Sequence, residues 1–220
     1  MPAVARRSRK TRSRPRPRWQ RRKAARPAEI VAAALEVFVE RGFAAARLEE
    51  VARRAGVTKG TVYLYFKSKE ALFKAVVRET IVPVIAQGEA IAQSFTGSAR
   101  DLVERLVREY WRLVGETELA GIPKLMMAEA ATFPQLTRFY YEEVVTRGHR
   151  LMAGVIERGI KNGEFRKVDV ATAAKLAMSP LIHATVARRA FASCMPEGFD
   201  IGKYLDTHID LYLHGITNNR

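Results

Sequence analysis

Residues 47–66 read RLEEVARRAGVTKGTVYLYF, and this stretch decides the fold of the N-terminal part of the chain. Gly56 separates two short helical patterns, and Thr58 can cap the second, which runs to about Phe66. Two short helices joined by a glycine turn are typical of a helix-turn-helix, whose second helix enters the DNA major groove. The first helix has a single apolar face, which consists of Leu48, Val51, Ala52 and Ala55.

The second helix has an inward and an outward side. Val62 and Phe66 lie four residues apart and can dock on the first helix. Gly60 then lets the backbone approach a groove, and Leu64 offers an apolar contact to a thymine methyl group. The side chains with the reach and the donors for phosphates or base edges are Lys59, Thr61, Tyr63 and Tyr65, of which Tyr65 has an alternative role in packing against the next helix.

A further cation follows this motif. Ser68 can cap the next helix, and Lys69 beside it places a positive charge near the free backbone N–H groups of the helix start. That combination suits one phosphate group of DNA.

Three segments are similar to the DNA-binding domain of the TetR family: GF at residues 42–43, residues 56–66, and KSKEALF at residues 67–73. The resemblance covers roughly residues 24–84. It implies a homodimer that reads a palindromic operator and a helical C-terminal domain that dimerises and binds a small effector. By position, it implies DNA contacts at Lys59, Gly60, Thr61, Tyr63, Leu64 and Tyr65, with phosphate roles for Thr58 and Lys69.

The chain departs from the family pattern at Arg47, where a capping Thr or Ser is usual. The substitution removes a cap from the first helix of the motif and adds a possible phosphate contact. The C-terminal part resembles an AefR-like subgroup in three places: YWR at residues 110–112, MAEA at residues 127–130 followed by FP at residues 133–134, and the helix end at residues 159–163.

In the rest of the sequence, the glycine, proline and capping residues are placed as they are at helix ends, and we predict an all-α protein. A helix-turn-helix domain at residues 27–72, which begins with a helix from Pro27 to Gly42, is joined by a long helix to a C-terminal bundle at residues 73–220. The later helices are predicted from Ser68 to about Phe95 with a bend at Pro83, from Ser98, from Pro123 for about 8 residues, from Pro134 for about 28 residues to Gly163, from Asp169 to about Cys194 around Pro180, and over residues 199–215.

Charge is unevenly distributed along the 220 residues, which contain 38 Lys and Arg against 23 Asp and Glu, a net +15. Residues 1–26 contain 12 of the basic residues and no acidic one, so that the rest of the chain carries only +3. Like-charge repulsion together with Pro15 and Pro17 predicts a disordered tail. Two interpretations stay open: a solvated extension, or an arm that contacts phosphates or the minor groove through residues 13–18.

Other classes of function lack the residues they need. The single cysteine, Cys194, excludes an internal disulfide and a Cys-rich zinc site, and the four histidines have no metal-ligand spacing. No phosphate-binding loop, HExxH or GxSxG motif is present, so we expect no enzyme activity, no cofactor and no metal. No run reaches 18 apolar residues, so we expect no membrane span and a cytoplasmic, nucleoid-associated protein.

The C-terminal bundle is the expected place for an effector pocket and for the dimer interface. Several side chains there are able to line a pocket, and core packing is their alternative role. They are Trp111, Met126, Met127, Phe133, Tyr140, Met178 and His183. The interface is predicted on the last two helices through Ala173, Leu176, Ala177, Leu181, Ala184, Ile209, Leu213 and Ile216.

The sequence therefore predicts a ligand-responsive transcriptional regulator, in the first place a repressor that a small molecule releases from its operator. The alternative is a DNA-organising or partner-binding protein on the same fold, which acts through its basic tail.

Overall fold

A computed structural model of the protein describes residues 18–194 and 200–218. The described residues form helices throughout, and their one β-like feature is an isolated bridge between Phe165 and Thr217. The all-α prediction is thus confirmed. Residues 1–17 of the predicted tail lie outside the described residues.

The N-terminal part contains α1 (Arg18–Ala45), α2 (Leu48–Arg54), α3 (Lys59–Tyr65) and the start of the long α4 (Lys69–Ser94). Gly42 interrupts α1 with φ 79° and ψ 163°, a conformation that glycine adopts readily. The structure corrects one boundary, because α1 begins at Arg18 and includes Pro27. Residues 18–26, predicted as the end of a disordered tail, are therefore helical.

The C-terminal part is a bundle of longer helices with two π-helical segments, Trp111–Gly115 and Tyr141–Val145. One continuous helical stretch covers residues 134–161 and matches the predicted length. A short 3-10 turn, Glu118–Ala120, precedes α6. The α-helices are α5 (Ala99–Tyr110), α6 (Gly121–Glu129), α7 (Pro134–Tyr140), α8 (Thr146–Lys161), α9 (Val170–Ala190) and α10 (Ile201–Ile216).

The predicted helix starts have the expected capping bonds. The hydroxyl of Ser68 accepts the N–H of Ala71, and the carboxylate of Asp169 accepts the N–H of Thr172. Arg47, in contrast, makes no side-chain capping bond at the start of α2. The structure thus agrees with the loss of a cap expected at this position.

Two apolar cores hold the molecule together, and they do not divide at residue 72. The first core contains α1, α2, α3 and the start of α4, and it continues into Ile122 and Leu125 of α6 and Phe139 of α7. The contact between α1 and α6 is close, because a Cβ added to Gly121 would lie 3.0 Å from the Cβ of Val39. The helix-turn-helix domain therefore shares its core with α6 and α7.

The second core is built from α5, α8, α9 and α10. It contains all but one of the residues predicted for the dimer interface, from Ala173 to Ile216. Only Leu176 of that set is exposed, at 58%, so the predicted interface residues are wrong except for Leu176. The reason is that α9 and α10 turn their small and branched residues inward, toward α8 and α5.

Among the described helices, α9 has the length and the apolar composition that a membrane-spanning helix needs. Its most apolar window has a mean hydropathy of 1.2 and is 33% buried. One such helix is weak evidence for a membrane span, since a core helix passes the same test. In this fold α9 packs against α6 and α8.

Candidate DNA-reading surface and candidate effector cavity

The turn between α2 and α3 is fixed by backbone geometry. Gly56 has φ 64°, in the left-handed region that favours glycine, and the N–H of Val57 donates to the carbonyl of Ala52 at 2.9 Å. Val62 of α3 is completely buried against the first core. Its burial fixes the rotation of α3 and therefore decides which residues of α3 face solvent.

The opposite side of α3 is exposed, as the sequence predicts. Leu64 is 74% exposed and Tyr63 is 46% exposed, so both side chains are accessible to a partner. Thr58 accepts the N–H of Thr61, and the two hydroxyl groups lie 2.9 Å apart. Tyr65 is half-buried and packs against the first core, which supports its alternative role in packing.

The start of α3 carries an ion pair. The ammonium group of Lys59 is paired with the carboxylate of Glu49 on α2, and it also lies 5.8 Å from the centre of the Tyr63 ring. The hydrogen bond between the pair raises the pKa of Lys59 and lowers the pKa of Glu49. Both side chains are about half exposed, so this pair is free to exchange for a phosphate.

The ammonium group of Lys69, predicted as a phosphate anchor, contacts the end of α1 in this structure. This group donates to the backbone carbonyls of Ala44 at 2.9 Å and Ala46 at 3.1 Å, and it lies 4.7 Å from the centre of the Phe43 ring. These contacts hold the positive charge of Lys69 against the C-terminal end of α1. Arg47 is exposed, as a phosphate contact requires.

A cavity of about 310 Å³ lies among the C-terminal helices, and its lining is almost entirely apolar. Four residues of the predicted effector pocket line it: Met126, Met127, Tyr140 and Met178. Three others do not line it. Trp111 is buried in the second core, Phe133 packs edge-on against Phe43 with ring centres 4.8 Å apart, and His183 is exposed.

The polar groups of this cavity are mostly uncharged. Burial raises the pKa values of Tyr110 and Tyr140, and burial lowers the pKa of His149, with a smaller contribution from Lys175. The remaining acid, Glu109, is hydrogen-bonded to Arg112, which lowers its pKa. The cavity can therefore hold an apolar ligand with neutral hydrogen-bonding groups, whereas a charged group would lack a cation in its lining.

The sequence missed several lining residues, for two reasons. Ile81, Ile85 and Gly88 lie at helical spacing on one face of α4 and were detectable as an apolar stripe. The π-helical segments had no recognisable signature, yet both border the cavity, through Leu113 and Val114 of the first and through Tyr141, Val144 and Val145 of the second. Such segments are frequent at functional sites.

The fold and the exposed α3 define a helix-turn-helix DNA-binding protein whose second part encloses an apolar cavity. The profile described as "Bacterial regulatory proteins, tetR family" matches residues 30–76, and "Tetracyclin repressor-like, C-terminal domain" matches residues 95–193. The chain belongs to the TetR family of DNA-binding transcriptional regulators. The AefR-like detail stays a prediction.

Two curated relatives cover about two thirds of the chain. The fatty acid metabolism regulator protein of Bacillus subtilis is 26% identical over 67% of this chain and 75% of its own length. The repressor KstR2 of Rhodococcus jostii is 29% identical over 67% of this chain and 72% of its own length.

Among solved structures, the regulator FadR from Bacillus subtilis in complex with stearoyl-CoA is similar to this fold with a TM-score of 0.75. It is 22% identical and covers 86% of this chain and 98% of its own length, so that it supports the fold alone. A regulator from Mesorhizobium loti is 25% identical with a TM-score of 0.71, and it covers 90% of this chain and 99% of its own.

Proposed function

We propose that the protein is a repressor that binds a palindromic operator as a homodimer and leaves it when an apolar small molecule fills the cavity. The observation that carries the proposal is the position of α6. Met126 lines the cavity and belongs to the first core, which also contains α1 and α3. A ligand that displaces α6 therefore acts on the packing that orients the recognition helix.

The effector is expected to be a long, mainly apolar molecule, because the lining is almost entirely apolar. Its neutral polar side chains are those of Tyr110, Thr137, Tyr140, Tyr141 and His149. The names of two relatives fit this chemistry: one is a fatty acid metabolism regulator, and a related structure contains stearoyl-CoA. By the same family resemblance, the site of action is the cytoplasm, at the nucleoid.

The dimer is expected to form through α9 and α10 by way of their outward residues. Leu176 is 58% exposed and Leu211 is 69% exposed, so both side chains are accessible to a second copy of the chain. The interface is therefore proposed on the same two helices as the sequence indicates, with different side chains. The double variant Leu176→Arg/Leu211→Arg should run as a monomer in sedimentation at a concentration where the parent chain is dimeric.

The DNA-reading assignment is tested by two substitutions on α3. Lys59→Ala and Tyr63→Ala should each weaken binding to the DNA upstream of the protein's own gene by about tenfold or more, as expected for the loss of a base or phosphate contact. Lys67→Ala is the matched control, because Lys67 is exposed and lies just beyond α3. Fluorescence anisotropy measures the affinity, and circular dichroism checks the helicity. Unchanged binding by both α3 variants would overturn the assignment.

A further inference from the structure

Two tyrosines in the lining of the apolar cavity, Tyr110 and Tyr140, have hydroxyl groups with unused hydrogen-bonding capacity. Water has little access to either group, since burial raises the pKa of both phenols. The other hydroxyl groups of the lining differ in this respect. Thr137 already donates to a backbone carbonyl at 3.0 Å, and Tyr141 is 55% exposed, so that water can hydrate it.

The hydroxyl of Tyr110 has its hydrogen engaged and its oxygen available as an acceptor. This oxygen lies 3.4 Å from the hydroxyl oxygen of Thr185, which is completely buried. Thr185 donates its single hydroxyl hydrogen to the backbone carbonyl of Leu181 at 2.8 Å. Tyr110 therefore has to be the donor in its bond to Thr185, and a lone pair of the Tyr110 oxygen is left for a ligand.

The hydroxyl of Tyr140 is available as a donor. Within residues 18–194 and 200–218, it makes no hydrogen bond to another residue. Its raised pKa keeps it protonated at neutral pH. A buried hydroxyl without a partner costs free energy, and a ligand that supplies the partner recovers that cost.

The two phenols reach the cavity from different cores. Tyr110, at the end of α5, packs against the second core, and Tyr140, at the end of α7, packs against the first. Burial is the main cause of the raised pKa of Tyr140, and the nearby phenol of Tyr110 raises it further. One small polar group of a ligand can therefore contact both hydroxyls, provided that it both accepts and donates.

We propose that the effector carries an uncharged hydroxyl group, which accepts a hydrogen bond from Tyr140 and donates one to Tyr110, an inference that rests on the proposed function. A ketone or an ether can take only the first role, because it has no hydrogen to donate. A carboxylate would lose its hydrating water in a lining that contains no Lys or Arg. The pair of tyrosines therefore selects an apolar alcohol over its ether isomer and over the corresponding acid.

The test compares three probes of similar size, using the full-length protein and isothermal titration calorimetry at pH 7.5. Dodecan-1-ol both donates and accepts, its isomer 1-methoxyundecane has the same heavy atoms and only accepts, and dodecanoate carries a negative charge. The alcohol should bind about three- to tenfold more tightly than the ether, which is the effect of one additional neutral hydrogen bond. Dodecanoate should bind most weakly of the three.

Each tyrosine has its own expected signature. Tyr110→Phe removes the acceptor, so the alcohol-to-ether affinity ratio should fall to about one while the affinity for the ether stays the same. Tyr140→Phe removes the donor that both probes use, so both affinities should fall by a similar factor. Tyr141→Phe and His149→Phe are matched controls, since they remove polar groups from the same lining, and both should keep the ratio of the parent chain.

Thr185 is a positioning residue in this arrangement, because it holds the hydrogen of Tyr110. Thr185→Val removes the accepting oxygen at similar side-chain volume, so that Tyr110 can donate to the oxygen of the ether. The ether should then gain on the alcohol, and the alcohol-to-ether ratio should fall to about one or below. A change of both affinities by the same factor would overturn the assigned direction of the bond between Tyr110 and Thr185.

The remaining outcomes separate the hydroxyl assignment from the proposed function. Equal binding of alcohol and ether by the parent chain, or dodecanoate that binds as tightly as the alcohol, overturns the assignment. An unchanged ratio in Tyr110→Phe, or an equal fall in either control, does the same. In each of these cases a dodecan-1-ol that still lowers operator affinity leaves the proposed function intact. Failure of every probe to bind, or binding without any loss of operator affinity, overturns the proposed function itself.

Discussion

The carboxylate of Glu129, at the end of α6, accepts a hydrogen bond from the backbone N–H of Ala44 at 3.1 Å. The backbone carbonyl of Ala44 accepts from the ammonium group of Lys69 at 2.9 Å. One residue at the end of α1 is thus held by α6 on one side and by the start of α4 on the other. Because Met126 and Met127 of α6 line the cavity, this junction connects the cavity lining to the end of α1.

We expect Glu129→Ala to reduce the coupling between effector and operator. Without the bond to Ala44, a displacement of α6 no longer pulls on the end of α1, so an effector should lower operator affinity less than in the parent chain. Coupling is reciprocal, so operator DNA should also lower effector affinity less. Anisotropy with and without dodecan-1-ol measures the first effect.

The control for Glu129→Ala is Glu157→Ala, which removes the same charge from an exposed position on α8. A Glu129→Ala protein that responds to effector as strongly as the control would show that the junction does not transmit the signal. Thermal unfolding of both variants separates lost coupling from lost stability.

The local parts of the fold could be predicted because they depend on neighbouring residues. The caps at Ser68 and Asp169 and the breaks at Gly42 and Gly163 each follow from one side chain or one missing Cβ. The exposed face of α3 followed in the same way from its helical spacing around Val62.

The parts that could not be predicted depend on contacts between distant segments. Lys69 has the sequence context of a phosphate anchor, yet the end of α1 lies close enough to supply two carbonyls for its ammonium group. Phe133 has the character of a pocket residue, yet it packs against Phe43 across 90 positions of sequence. The inward rotation of α9 likewise depends on where α8 packs, so the amphipathic pattern alone placed Ala177 and Leu181 at the wrong surface.

We expect Glu49→Gln to strengthen DNA binding. In the free protein Lys59 is paired with Glu49, so a phosphate has to displace that carboxylate before it can take the ammonium group. The substitution removes the competitor and a negative charge beside the DNA, and the gain should amount to a few-fold, about the effect of one exposed ion pair. Glu104→Gln is the control for net charge, since Glu104 pairs with Arg108 on α5. Equal affinities in the two variants would argue against Lys59 as a phosphate contact.

Effector binding should be unchanged from pH 7.5 to 6.5 and should weaken once the pH falls below the lowered pKa of His149. Burial already holds its pKa below the ordinary value of 6.5, and an apolar ligand placed against it disfavours the charged form further. The neutral form is therefore the binding form, so affinity is full above pH 6.5 and falls only below the lowered pKa of His149, by at most about tenfold per pH unit.

Three other titratable groups of the cavity, Glu109, Tyr110 and Tyr140, keep their charge state between pH 7.5 and 5.5. The pKa of Glu109 lies below its ordinary value of 4.5, and those of Tyr110 and Tyr140 lie above 10.0. His149→Phe should therefore remove the pH dependence of dodecan-1-ol binding while leaving its affinity at pH 7.5 similar. Persistence of the full dependence in His149→Phe would place the responsible group elsewhere.

The basic tail is expected to act through salt-dependent, sequence-independent DNA contacts. Residues 1–17 contain seven Lys and Arg, and each phosphate contact that they make releases a counterion. In a plot of log affinity against log salt concentration, each contact makes the negative slope steeper by about 0.9. Replacing those seven residues by Ser, at unchanged length, should flatten this slope and lower affinity for unrelated DNA as much as for the operator. A parent chain that binds every duplex equally at physiological salt would favour the DNA-organising alternative. An unchanged slope in the variant would mean that the tail does not contact DNA, and that recognition depends on the side chains of α3 and their immediate neighbours.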